Sequence, residues 1–150
     1  MKLTGTQKID APPEVVWRYL TDRDTLARAT PGCKALTEQG EDRYEALLEL
    51  GVAAIKGSYK GMLSIEDKQP PRHYRLRIEG EGGPGFVQAW LDLDLEAQGA
   101  STLVRYDGEA QVGGAIAGVG QRVLGGVAKF LIGQFFSALA REVHQAEARS

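Results

Sequence analysis

Between residues 33 and 112 apolar and polar positions alternate by two, with no helical period. Six runs can be separated: 33–38, 44–52, 55–67, 73–81, 85–96 and 102–112. Their connections are short and rich in turn formers (GEDR, Pro70-Pro71, a Gly/Pro tract, AQGAS), so neighbouring strands must run antiparallel. A weaker alternation over 3–9 predicts a first strand, giving seven. DAPPEVVWRYL follows it and predicts a short helix, with proline suited to the first turn and Glu14 to the positive end of the dipole. A second short helix is expected over 24–29. Thr30-Pro31-Gly32 then reads as a type II turn.

After residue 112 the period changes. From Gly113-Gly114 the chain reads AIAGVGQRVLGGVAKFLIGQFFSALAREVHQAEAR, which predicts one long helix over 112–149. Arg122, Lys129, Ser137, Arg141 and His144 form its single narrow polar stripe. Ile116, Val119, Val123, Leu124, Val127, Phe130, Leu131, Phe135 and Leu139 fill the remainder. A helix so apolar needs a broad surface to lie on, and the strands supply one.

On one strand face stand Tyr44, Ala46, Leu48, Leu50, Ile55, Gly57, Tyr59, Gly61, Leu63, Ile65, Tyr74, Leu76, Ile78 and Gly80. That face continues through Gly85, Val87, Ala89, Leu91, Leu93, Leu95, Thr102, Val104, Tyr106, Gly108, Ala110 and Val112. The opposite face carries most of the charges, with Trp90 near Arg75 and Arg77, where a cation–π contact is expected. One face is therefore wet and the other covered by the long helix. Small residues on the covered face oppose a helix that itself holds Gly118, Gly120, Gly125, Gly126 and Gly133. Each interior helical glycine costs roughly 1 kcal/mol relative to alanine. Two explanations stand: space and movement around the helix, or close packing and bending of the sheet. The first predicts an apolar cavity lined by Tyr59, Leu63, Ile78, Val87, Ala89, Leu91, Tyr106, Val127, Leu131 and Phe135.

Composition narrows the classes. The 150 residues fit a single domain over 1–150. A net charge of −2 gives no bulk case for nucleic acid. One cysteine, Cys33, excludes an intrachain disulfide framework, and the first residues show no secretory signal, so a cytoplasmic location is expected. The cations of the last helix leave it short of an uncharged spanning segment. Contact with the inner face of the cell membrane stays open, with Val119, Arg122, Val123, Leu124 and Lys129 as its candidate gate.

Reactive constellations are absent from the sequence pattern. His73 and His144 have no neighbours at metal-ligand spacing, so no metal site is expected. Cys33 has no visible partner and reads as a small hydrophobe. The carboxylates fall mostly on the wet face, so no buried acid–base pair is evident and no catalytic residue is assigned. GEGGPG is followed by a strand rather than a helix and is no phosphate loop. The expectation is a binding protein, not an enzyme.

IDAPPEVVWRYLTD resembles the opening of the START/Bet v 1-like (SRPBCC) superfamily, the helix-grip fold. TPGC, KGSYKG, GEGGPGF, EAQVGG and GQRVLGGVAKFLIGQFF, in that order, resemble the carbon monoxide dehydrogenase G-subunit family across essentially the whole chain. The resemblance implies an α+β fold with a seven-stranded antiparallel sheet wrapped on a long C-terminal helix, two short helices after strand 1, and a hydrophobic cavity. It also implies association with molybdenum hydroxylases that oxidise carbon monoxide or related substrates, and carriage of membrane quinones by some members. Three functions follow. One is a carrier for a quinone or other lipid, with no cofactor of its own, serving a carbon monoxide dehydrogenase-like oxidoreductase. Another is a recruitment or assembly protein for that enzyme, without a ligand. The third is an enzyme like the polyketide cyclases that share the fold, for which Gln7, Tyr59 and Tyr106 are the polar residues on the covered face.

Overall fold

The computed structural model describes residues 1–149. The elements follow as β1 (Lys2–Ile9), α1 (Pro13–Leu20), α2 (Arg23–Ala29), β2 (Cys33–Gly40), β3 (Arg43–Leu50), β4 (Gly57–Gln69), β5 (His73–Gly82), β6 (Gly85–Gln98), β7 (Ser101–Gly113) and α3 (Gln121–Arg149). Two 3-10 turns, Ala53–Ile55 and Ala115–Val119, precede β4 and α3. The seven strands form one antiparallel sheet in the order β1-β7-β6-β5-β4-β3-β2. This is the fold expected from the strand alternation: sheet, two early helices and one long final helix.

Local chemistry accounts for the short helices. Pro13 sits in the first turn of α1 with Glu14 beside it, and Val16 and Leu20 are buried. The Thr21 hydroxyl closes the helix by donating to the Trp17 carbonyl at 2.8 Å. Asp22 caps α2, accepting from the Thr25 amide at 3.0 Å and its hydroxyl at 2.8 Å. Trp17 meets Tyr74 edge-on, with centroids 5.4 Å apart, and so anchors α1 on the covered face of the sheet. Gly32, at φ +70, closes the expected turn into β2.

The register ladders place side chains on the faces expected. Inward rows read Tyr74–Leu93–Tyr106–Gly5, then Ile65–Leu76–Leu91–Gly108–Leu3, then Tyr44–Leu63–Ile78–Ala89–Ala110. Further along stand Ala46–Gly61–Gly80–Val87–Val112 and Leu48–Tyr59–Gly82–Gly85. On the outer face Arg75 lies 4.5 Å over the Trp90 ring and grips Asp92 with two 2.9 Å hydrogen bonds.

The long helix starts later than its apolar pattern predicts. β7 runs on to Gly113, and Ala115–Val119 is a separate 3-10 turn bracketed by Gly114 (φ +80) and Gly120 (φ +97). Both angles lie in the left-handed region, where a side chain is strained. The α-helix can begin only beyond Gly120. By length and composition α3 is long and apolar enough to cross a membrane, although Arg122 and Lys129 interrupt it. Here it packs as the core helix, with Phe136, Leu139 and Val143 buried.

Candidate functional site

The covered face is not filled evenly. One large core joins Val16, Leu20, Leu36, Tyr44, Tyr74, Leu93, Val104, Tyr106, Phe136, Leu139 and Val143. Tyr106 stacks on Phe136 at 6.2 Å between centroids and lies across Gly5, where any Cβ would collide with its ring. At the other end of the strands a small separate cluster forms from Ile55, Ile116 and Leu124, with Leu50, Val52, Val112, Val127 and Leu131 packed on it. The glycine-rich hairpin tip is pressed into this cap. The Ile116 amide donates to the Pro84 carbonyl at 2.8 Å, and a Cβ on Gly85 would strike the Gly113 carbonyl oxygen.

Between the two clusters lies the candidate site. Leu48, Tyr59, Ile78, Val87 and Ala89 point to the covered side, belong to neither cluster and are only half-buried. Of the residues expected to line a cavity, Tyr59, Ile78, Val87 and Ala89 therefore stand on the covered face between the two clusters. Leu63 and Phe135 pack on the main core, and Val127 and Leu131 on the cap cluster. Leu91 and Tyr106 are buried in the main core.

The three polar residues expected on the covered face do not converge. The Tyr59 hydroxyl donates to the Ile55 carbonyl at 2.6 Å, and burial pushes its ionisation upward. Tyr106, also pushed upward by burial, packs over Gly5. Gln7 pairs with Val104 at the far end of the sheet. Cys33 is half-buried, its thiol pushed up by burial. Among the described residues no three His, Cys, Asp or Glu side chains gather at metal-binding distance.

The two sets of glycines have different causes. On the sheet, a Cβ at Gly61 would lie 2.7 Å from the Glu79 carbonyl oxygen, and one at Gly108 would overlap the Trp90 carbonyl. These residues permit strong coiling of neighbouring strands, so they do not themselves mark empty space. On α3 a Cβ at Gly126 or Gly133 would meet nothing within 4 Å, and at Gly125 only the Met1 sulfur at 3.9 Å. Close packing of the helix against the sheet is thus not their reason.

The expected gate divides. Val119 and Val123 are exposed, the latter at 48%, with Arg122 and Lys129 on the same outer face. Leu124 is a correction. It is 7% exposed and points into the cap cluster, because the α-helical phase from Gln121 turns it inward. Exposed apolar residues missed in the sequence are Phe86, on the outer face beside Gly113, and Phe130, 52% exposed next to Lys129. A second concavity, also unforeseen, is a groove of about 680 Å³ between the outer flank of α3 and the Thr30–Gly32 corner. No local sequence signal links the two segments. They meet only through packing of α2 on α3, fastened by the Arg28–Glu142 ion pair.

A model of the family described as the carbon monoxide dehydrogenase G-subunit (CoxG) matches residues 5–144. The chain belongs to the CoxG family. Among solved structures, a conserved protein from Geobacillus kaustophilus is 41% identical, with 97% of each chain covered and a TM-score of 0.95. A START superfamily protein from Mycobacterium smegmatis is 16% identical over 97% of this chain and 98% of its own, with a TM-score of 0.73. A Thermus thermophilus protein is similar at 17% identity, 97% and 99% coverage and a TM-score of 0.71. The last two show the START-like fold alone. No curated protein shows significant sequence similarity to the chain.

Proposed function

We propose that this member of the family is a non-catalytic carrier of a hydrophobic small molecule, a quinone or similar isoprenoid. Its cargo serves a carbon monoxide dehydrogenase-like molybdenum hydroxylase or related oxidoreductase. The observation that carries the proposal is the half-buried apolar wall of Tyr59, Ile78, Val87 and Ala89 between two separate clusters. A ligand ring losing about 200 Å² of apolar surface there gains roughly 5 kcal/mol from desolvation. The family name and the START-like fold support an accessory binding role.

Cargo does not enter through the paired strands, because opening a ladder would strand buried backbone groups. It passes beside the cap, where the 3-10 turn Ala115–Val119 is held between two left-handed glycines. Val119, Val123 and Phe86 are exposed at this end, with Arg122 beside them. Such a tip touches the apolar margin of a bilayer while each cation gains ~1 kcal/mol from anionic head groups. Here the protein works at the inner face of the cell membrane.

Native mass spectrometry of protein purified with its lipids tests the carrier. A discrete mass excess that organic solvent removes is expected; a bare polypeptide mass after exposure to quinone-bearing membranes would sink it. Co-sedimentation with phosphatidylglycerol vesicles tests the entrance separately. Arg122→Glu combined with Val123→Glu is expected to reduce binding several-fold, and added salt to weaken the wild type. Wild-type protein that ignores vesicles at low salt would remove the membrane from the account.

A further inference from the structure

We propose that the groove between α3 and the Thr30–Gly32 corner receives an extended acidic segment of a partner protein. The proposal rests on the carrier reading only for the partner's role as recipient of the cargo. It begins from an asymmetry of charge. The protein is net −2, yet residues 113–141 contain no Asp or Glu and three cations, Arg122, Lys129 and Arg141. Lys129 and Arg141 both line the groove, and neither makes an ion pair among the described residues. Arg28, on the opposite bank, is already held by Glu142, and no carboxylate lines the groove.

Spacing identifies the shape of the guest. Lys129 and Arg141 are twelve residues apart on one helix, roughly 18 Å along its axis. That distance matches five to six residues of extended chain, at about 3.3 Å each. Between the two cations Gly133 leaves the helix surface open, and Ser137 offers a hydroxyl. Phe130, 52% exposed, gives an apolar flank beside Lys129. The guest is therefore a strand-like segment with a carboxylate near each end and an apolar side chain beside the first. A bilayer is flat on this scale and would touch the rim without filling the groove. The groove extends away from the cap: Gln7 on its wall belongs to the Leu95–Val104–Gln7 row, whose first two members lie in the main core. Cargo entrance, around Val119 to Val123, and partner contact, from Lys129 to Arg141, then occupy different stretches of the chain, and both can be engaged at once.

The test uses fluorescence anisotropy with a labelled eight-residue peptide bearing glutamates five residues apart around a leucine, and its lysine counterpart. Full-length protein is expected to bind the acidic peptide at low salt and not the lysine peptide. Arg141→Glu is expected to weaken binding at least tenfold. Ser137→Trp, which fills the groove without changing charge, should do the same. Circular dichroism confirms that each variant is folded. Equal binding by wild type and both variants, or no binding at low salt, overturns the proposal. It also fails if Arg141→Glu loses affinity only for phosphatidylglycerol vesicles, because the groove would then face a membrane. Uptake of a decyl-chain benzoquinone is measured in parallel. Peptide binding without uptake leaves the groove standing and removes the carrier; uptake without peptide binding does the reverse.

Discussion

The two ends of one sheet make a direct comparison. At one end the inward row Tyr74–Leu93–Tyr106 is buried under α3, with Phe136, Leu139 and Val143 above it. At the other, Ala46–Gly61–Gly80–Val87–Val112 faces the same helix and every member is only half-buried. Strand pairing continues through both. What changes is side-chain volume: aromatic and leucine at the packed end, glycine, alanine and valine at the open one. On the helix, Phe136 and Leu139 cover the packed end, and Leu124, Val127 and Leu131 pack in the cap cluster at the other. The half-buried end is the one that the proposed carrier function assigns to a guest.

Truncations should register this difference most strongly. Leu139→Ala, at a fully buried position, is expected to cost 2–5 kcal/mol in chemical denaturation. The matched pair is sharper. Val104→Ala in the core should cost about 2 kcal/mol, and Val87→Ala at the hollow less than ~1 kcal/mol. Equal costs at the two valines would mean that the hollow end is as well packed as the core.

The outer face supplies a control that should ignore the comparison. The Arg75 guanidinium holds the Asp92 carboxyl below the usual carboxylate range. A depressed folded pKa stabilises above the unfolded value of about 3.9 and is lost as pH falls through the lower folded value. Asp92→Asn should therefore cost about 1 kcal/mol at neutral pH, with the wild-type advantage vanishing under strong acid. It should leave ligand uptake unchanged. A variant whose deficit persists at low pH would mean that packing around Trp90, and not the ion pair, carries the effect.

The smallest effects belong to the two residues with reactive side chains and no constellation around them. Cys33→Ser and His144→Ala are each expected to change stability by ~0.5 kcal/mol or less and to leave uptake of a quinone within twofold of wild type. Loss of uptake in either would place chemistry where the present account has none.

Much of this is legible in the amino-acid order alone. The alternation by two assigns every inward residue of β3 to β7 to its observed face, because a strand has only two sides and one is wet. Proline and Glu14 locate α1, and the short helix expected over 24–29 appears as Arg23–Ala29. Three features are hidden. Ala115–Val119 continues an apolar helical pattern, and only the backbone angles of Gly114 and Gly120 reveal the break. Gly61 and Gly108 read equally as space or as bends of the sheet, and only the structure shows the close approach of a neighbouring strand as their cause. The basic groove depends on Thr30–Gly32 reaching residues a hundred positions later, and no local spacing encodes that.

Ala89→Phe tests the central claim most directly. Ala89 points inward, is half-buried and stands in the row beside the hollow. In a filled core the added ring would cost 1–3 kcal/mol through overpacking. The proposed hollow would give the ring space to enter, so stability should stay within ~1 kcal/mol of wild type while uptake of a decyl-chain benzoquinone falls at least tenfold. A variant that keeps full uptake, or one that unfolds as an overpacked core does, would contradict a ligand-binding hollow between sheet and helix.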